Sequence, residues 1–399
     1  MSFESLEAIW WESLTGPAGF IHSVTDLLKE KKTVLLRLVT DVPWPEQMRS
    51  AIERQMREFE PNLSFEQIRF LSSDLPVGDV PGFLMRRFAV KEIRDAYRSA
   101  SGVSVQRYMQ EHSVLKNRVI WVIGACQQEV DVWLSFCRKF VSDSVSGGLF
   151  VVETRGNNSI RALPAHIRSL DYLDFVRPYD IQLFCNLATA KITQESDDWK
   201  RYFAAVAAHL CGVDGELAVK LIRSGALARQ EPLDALTKFA EEDTCSARRS
   251  LDSLSSEHPF SMLARGDNLA LRHRVWKAQL GDLFSIIERE RIALIDRHIV
   301  QIKLALSTPY LDSRTGTPRT IMQFGEVVTD AYDVEIGTLF FMMNVRKANG
   351  VAEPLLFLPR VADRERVALL REVRNYLAHT KPCPIDKVQL LLSCHPFEW

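Results

Sequence analysis

The residues best suited to chemistry stand near the end of the chain, in Arg371-Glu372-Val373-Arg374-Asn375-Tyr376-Leu377-Ala378-His379-Thr380-Lys381-Pro382. Arg374 and His379 are separated by four residues, and Asn375 follows the arginine directly. A guanidinium is a fixed-charge fork matched to phosphate oxygens, and an imidazole gives and takes protons near neutrality. Together they suit transesterification of RNA. The 2′-OH needs a base, the leaving 5′-oxygen an acid, and the phosphorane positive charge. On a straight helix, positions five apart point about 140° away from each other, so the two can meet only where the helix ends. Pro382 disfavours helical geometry at Lys381 and ends the helix near His379, where the dipole favours cations. Asn375 would hold phosphate or orient a neighbour, and Arg371 and Lys381 would add charge. Glu335 is placed to orient Arg374, although an acid at a helix N-terminus is also favoured by the dipole alone. Tyr376 and Leu377 read as core. The remaining histidines, among them His258 and His273, show neither i,i+4 pairing nor metal-ligand spacing.

The elements that must position these residues change character along the chain. Thr33–Val39, Val119–Gly124 and Leu149–Val152 are apolar runs of the kind buried on both faces of a parallel sheet. Helical patterns at Pro45–Phe59, Phe88–Ser104 and Glu129–Ser142 lie between them, which is the alternation of an α/β domain. From Ser196 onward the pattern is helical: Asp198–His209, Gly215–Ser224, and a long stretch Asn268–Leu306 with Gly281 as a candidate kink. A loop over Ser307–Gln323 and helices over Phe324–Ala331, Asp333–Ala348 and Asp363–Ala378 follow. The expected organisation is an α/β domain over 1–190, a helical bridge over 191–267 and a helical bundle over 268–399.

The α/β part lacks phosphate chemistry. Its best glycine-bearing stretch, Gly16-Pro17-Ala18-Gly19, is followed by Phe20-Ile21-His22-Ser23, without the Lys-Ser/Thr pair of a phosphate loop. The run Val119–Ile123 leads into Gly124-Ala125-Cys126 rather than a magnesium-holding aspartate, so nucleotide hydrolysis is not expected. Cys126, with Gln128 two positions on, reads as a structural thiol rather than a nucleophile.

Composition narrows the classes further. Of the 399 residues, 50 are Lys or Arg and 51 are Asp or Glu, for a net charge of -1, which argues against a broad basic nucleic-acid face but leaves room for a local one. Seven scattered cysteines without C-x-x-C spacing suggest neither a disulfide framework nor a zinc cluster. No apolar run approaches the roughly 18 residues of a membrane span, and the acidic start has no secretory pattern. A cytoplasmic protein with no cofactor and no metal is the expectation.

The form R-N-Y-L-A-H at the end of the last long helix resembles the Arg-x-x-x-x-His signature of the HEPN superfamily, over about residues 268–399. That resemblance implies a metal-independent endoribonuclease with Arg374, His379 and Asn375 as its catalytic set, and a homodimer through the helical domain that brings two motifs to one cleft. HEPN domains also serve as non-catalytic dimerisation or RNA-binding modules, so a dimeric interaction protein is the alternative. The first 190 residues, through Trp11, Gly16-Pro17, Phe20, Thr33–Val39 and Val119–Gly124, resemble the degenerate, inactive STAND-type NTPase domains of bacterial defence-like proteins. The pairing implies a sensor governing an RNA-directed effector, with a regulatory protein partner, in anti-phage defence or toxin-like arrest.

Overall fold

The computed structural model describes residues 5–38, 42–69, 79–97, 102–125, 127–141, 147–155, 162–192, 195–245, 257–312, 314–348 and 353–393. The chain packs as two units: Met1–Phe184 with Cys211–Ala218 and Ala240–Arg265, and Cys185–Leu210 with Val219–Phe239 and Gly266–Trp399.

In the first unit, Val34, Leu35, Leu36, Val119, Ile120, Val122, Val151 and Val152 have no exposed surface. Strands apolar on both sides must be covered on both, and parallel pairing through crossover helices achieves this. The strands are β1 (Thr33–Leu38), β2 (Ser64–Arg69), β3 (Arg118–Ala125), β4 (Leu149–Arg155) and β5 (Ile167–Asp171), all parallel, in the order β2-β3-β4-β1-β5. Val34 lies opposite Val151 and Val119 opposite Leu149. The accompanying helices are α1 (Thr15–Lys29), α2 (Pro45–Phe59), α3 (Gln127–Lys139) and α4 (Pro178–Ala190). One sheet face packs Leu35, Ile120, Val122, Phe150 and Val152 with Trp133 and Phe136 of α3. On β4, Glu153 is wholly buried and accepts two 2.7 Å hydrogen bonds from Arg49 of α2 and one of 2.6 Å from Trp121 Nε1. Burial opposes the charge on Arg49, but Glu153 outweighs it and holds the guanidinium above its ordinary pKa.

The rest of the chain is largely helical: α5 (Asp197–Cys211), α6 (Gly215–Ser224), α7 (Pro232–Cys245), α8 (Asn268–Arg297), α9 (Ile299–Ser307), α10 (Ile336–Asn344), α11 (Val361–Ala378) and α12 (Ile385–Ser393). An N-terminal α/β region with a parallel sheet is thus followed by a mainly all-α region. Within the second unit, α11 buries Asp363, Arg366, Val367, Leu370, Val373 and Leu377, a stripe at helical spacing. Its polar members are paired. Arg366 is bidentate to Glu290 of α8 and donates to the carbonyls of Leu390 and Leu391. Asp363 accepts from His298 at 2.8 Å. Gln279 closes a two-way hydrogen bond with the backbone of Cys383.

Several local expectations need correcting. Gly16-Pro17-Ala18-Gly19, read as no phosphate loop, lies in the first turns of α1, ahead of the first strand. The Asp180 carboxylate accepts from Gly16 N–H, and a Cβ at Gly16 would stand 2.5 Å from its oxygen. The stretch expected as one helix over 88–104 is broken: helices span Val80–Phe88 and Lys91–Ala96. Helix α8 runs straight through Gly281, and the break falls at His298, whose φ is -117° and ψ 24°. Phe324–Ala331 is no helix. Met322–Gln323 and Glu326–Val327 form a hairpin, because Phe324 and Gly325 take positive φ of 49° and 89° in a two-residue turn. Cys126 lies outside the described residues, and the described Cys137, Cys185, Cys211 and Cys383 are buried and form no disulfide.

Candidate functional site

Helix α11 ends where Pro382 requires. Ala378 is its last residue and His379 its cap. Lys381 N–H donates to the Tyr376 carbonyl at 3.0 Å and Thr380 N–H to the Leu377 carbonyl at 3.2 Å, a Schellman closure. The closure needs a left-handed residue, and Thr380 supplies it with φ 54°, a conformation that costs a β-branched side chain energy. Trp276 Nε1 of α8 adds a second 2.8 Å hydrogen bond to the Leu377 carbonyl. His379, Thr380 and Lys381 stand exposed at this fixed end.

Arg374 points elsewhere. Its Nη2 lies 3.4 Å from Oε2 of Glu335, with both side chains about two-fifths exposed, at 37% and 42%. Glu335 is the cap residue before α10 rather than a member of it, held there by its N–H to Gln323 Oε1. Arg371 lies over the ring of Phe340, 4.4 Å from the centroid. Asn375 is half-buried, and its carbonyl accepts the His379 N–H. Glu372, the acid of this stretch, is paired with Lys387 at 2.9 Å, and that bond pushes the lysine pKa up. Among the described residues, neither Arg371 nor Lys381 has a carboxylate partner, and the His379 ring makes no hydrogen bond. The six residues read from the sequence therefore lie around one helix end, but Arg374 is held by Glu335 and nothing orients the imidazole as an acid or base would require.

Residues missed by the sequence reading sit beside them. His273 of α8 is stacked on Trp276, with centroids 5.0 Å apart and planes 9° apart. Their i,i+3 spacing on a helix was the available signal. His258, by contrast, is a buried structural residue: it caps the helix Pro259–Ala264 and faces Asp214 at 3.2 Å.

The place where an open parallel sheet holds a phosphate, the passage from β1 to α2, is also informative. Its described part is Val42-Pro43-Trp44, leading into Pro45 of α2, and neither proline has an N–H to offer. Trp44, at φ 44°, donates its N–H to the carboxylate of Glu216 at 2.6 Å. Trp11 Nε1 donates to the carbonyls of Pro43 and Trp44, and Trp10, Trp44 and Phe184 pack edge to face. A carboxylate and aromatic rings thus pack against the described part of the passage. Among the described residues, no group of three or more His, Cys, Asp or Glu is placed to hold a metal, and no helix is long and apolar enough to cross a membrane.

No family model matches the chain, and no curated protein matches it. The Aeropyrum pernix ORC1 protein in complex with DNA is similar at 13% identity, with 99% of each chain covered and a TM-score of 0.31. Drosophila ORC bound to DNA is similar at 12% identity over 98% of this chain and 93% of that one, with a TM-score of 0.29. Likenesses at that level do not establish a shared fold.

Proposed function

We propose that this is a non-catalytic, dimeric interaction protein whose helical C-terminal unit engages single-stranded RNA through the exposed end of α11. The observation that carries this reading is the Arg374–Glu335 pair. A phosphate-activating arginine works as an uncompensated charge, and Glu335 compensates it. The exposed Lys381, with Arg371 further up the helix, brings positive charge to this end, where the dipole favours cations, and those side chains can hold phosphates. The α/β unit then acts as a regulatory or docking module, since at the start of α2 the Trp44 N–H is already taken by its own Glu216.

A second reading, metal-independent RNA cleavage, is favoured by one observation: the strained Thr380 turn follows a His379 that stands exposed at the helix end. One experiment separates the two. Labelled RNA is incubated in EDTA with wild type, Arg374→Ala and His379→Ala, with retention and cleavage both scored and the oligomeric state read by light scattering. Retention without cleavage supports the interaction protein. Cleavage lost in both variants supports the nuclease. Neither retention nor cleavage overturns both.

A further inference from the structure

We infer that His273 and Trp276 form a base-stacking platform for single-stranded nucleic acid, adjoining the cationic end of α11. This inference rests on the RNA-binding reading and specifies how that surface recognises its ligand.

Trp276 fixes the location. Its indole N–H donates to the Leu377 carbonyl two residues before His379, so the ring is anchored at the end of α11. The same bond fixes the orientation of the ring. His273 lies almost parallel on it, and His273 itself is exposed. A stacked pair with an exposed member offers a flat surface to a further ring, and every nucleobase has a face to set against it. Leu269, one turn earlier and 82% exposed, continues the same helix face, because positions 269, 273 and 276 recur at helical spacing.

Charge around the platform fits a polyanion. The first ten residues of α8, Asn-Leu-Ala-Leu-Arg-His-Arg-Val-Trp-Lys, contain Arg272, Arg274 and Lys277 and no acid. Among the described residues, Arg272 and Lys277 have no carboxylate partner, and both are exposed. Lys381 and His379 stand at the helix end that Trp276 caps. Rings interleaved with cations are the arrangement that binds single strands without reading sequence: the rings take bases and the cations take phosphates. A protein whose formal charge is -1 thus places Arg272, Lys277 and Lys381 at two adjoining helix ends.

The test separates bases from phosphates. Two labelled probes of about 12 nucleotides are used, an oligoadenylate and an abasic strand of equal length, within the usual site size of such surfaces. Affinities are measured by anisotropy over a range of salt, on the full chain. His273 is exposed and outside the core, so its variants keep the fold. His273→Ala should weaken the oligoadenylate about tenfold and leave the abasic strand and the salt slope unchanged. His273→Phe should restore binding, since a ring is what the platform needs. Lys381→Ala should weaken both probes alike and flatten the slope by about 0.7. If His273→Ala matches wild type while Lys381→Ala weakens both probes, the platform is wrong and RNA binding stands. If wild type retains neither probe, both fall.

Discussion

Nη2 of Arg374 lies 3.4 Å from Oε2 of Glu335, joining the residue just before the last turn of α11 to the cap of α10. The pair is too exposed to matter much to stability; such bridges contribute about 0–1 kcal/mol. Its consequence is electrostatic. Glu335→Gln should leave the thermal midpoint nearly unchanged and raise affinity for single-stranded RNA about two- to fivefold, by releasing a charge that then contacts phosphate. Arg374→Ala should lower it. Anisotropy at low and moderate salt reads both. Equal affinity in all three proteins would mean that Arg374 touches no ligand.

Thr380 carries the strain of the α11 closure. A left-handed residue with a side chain costs about 1–2 kcal/mol, and glycine adopts the same geometry freely. Thr380→Gly should therefore stabilise the helical unit by about 1 kcal/mol, raising its unfolding midpoint in urea. Pairing this variant with an RNA-binding assay shows whether the strain serves function. A more stable protein with weaker binding would mean that Thr380 holds His379 where it is needed.

The sequence was legible where burial is complete. β1, β3 and β4 are central strands, and their unbroken apolar runs can belong to little else. β2 (Ser-Phe-Glu-Gln-Ile-Arg) and β5 (Ile-Arg-Ser-Leu-Asp) are the sheet's edges, half polar, and carry no comparable pattern. The end of α11 was legible because Pro382 acts locally. Glu335 was found but placed inside a helix that it precedes, since capping depends on backbone angles rather than residue type. The stacking of His273 on Trp276 left only its i,i+3 spacing as a trace, and the anchoring of Trp276 left none, because the carbonyl it donates to is 101 residues away.

Glu216 stands where a bound anion would. It accepts the Trp44 N–H at 2.6 Å at the start of α2, and Pro43 and Pro45 on either side cannot donate. Hydrogen bonds to charged groups contribute about 1.5–3 kcal/mol. Glu216→Ala should destabilise the α/β unit by about that amount and speed hydrogen exchange at Trp44. Inorganic phosphate should partly rescue the variant and leave wild type unaffected, because a helix N-terminus freed of its carboxylate accepts another anion. A phosphate- or ATP-induced rise in the wild-type melting temperature would contradict this.

Asp282 of α8 gives the pH prediction. Its carboxyl is 11% exposed, its Oδ2 has no hydrogen-bond partner among the described residues, and Arg201 Nε stands 3.8 Å away. Burial pushes its pKa from 3.8 to about 6, against the opposing pull of Arg201. Between those values the folded protein holds a proton that the unfolded chain has released. Stability from this group is therefore present below the lower pKa and falls as pH rises through about 6. That displacement corresponds to about 3 kcal/mol at most. Asp282→Asn should raise the urea midpoint of the helical unit at pH well above 6, with the advantage shrinking toward zero as pH approaches 4. An advantage of equal size at every pH would place its origin in packing rather than in the proton.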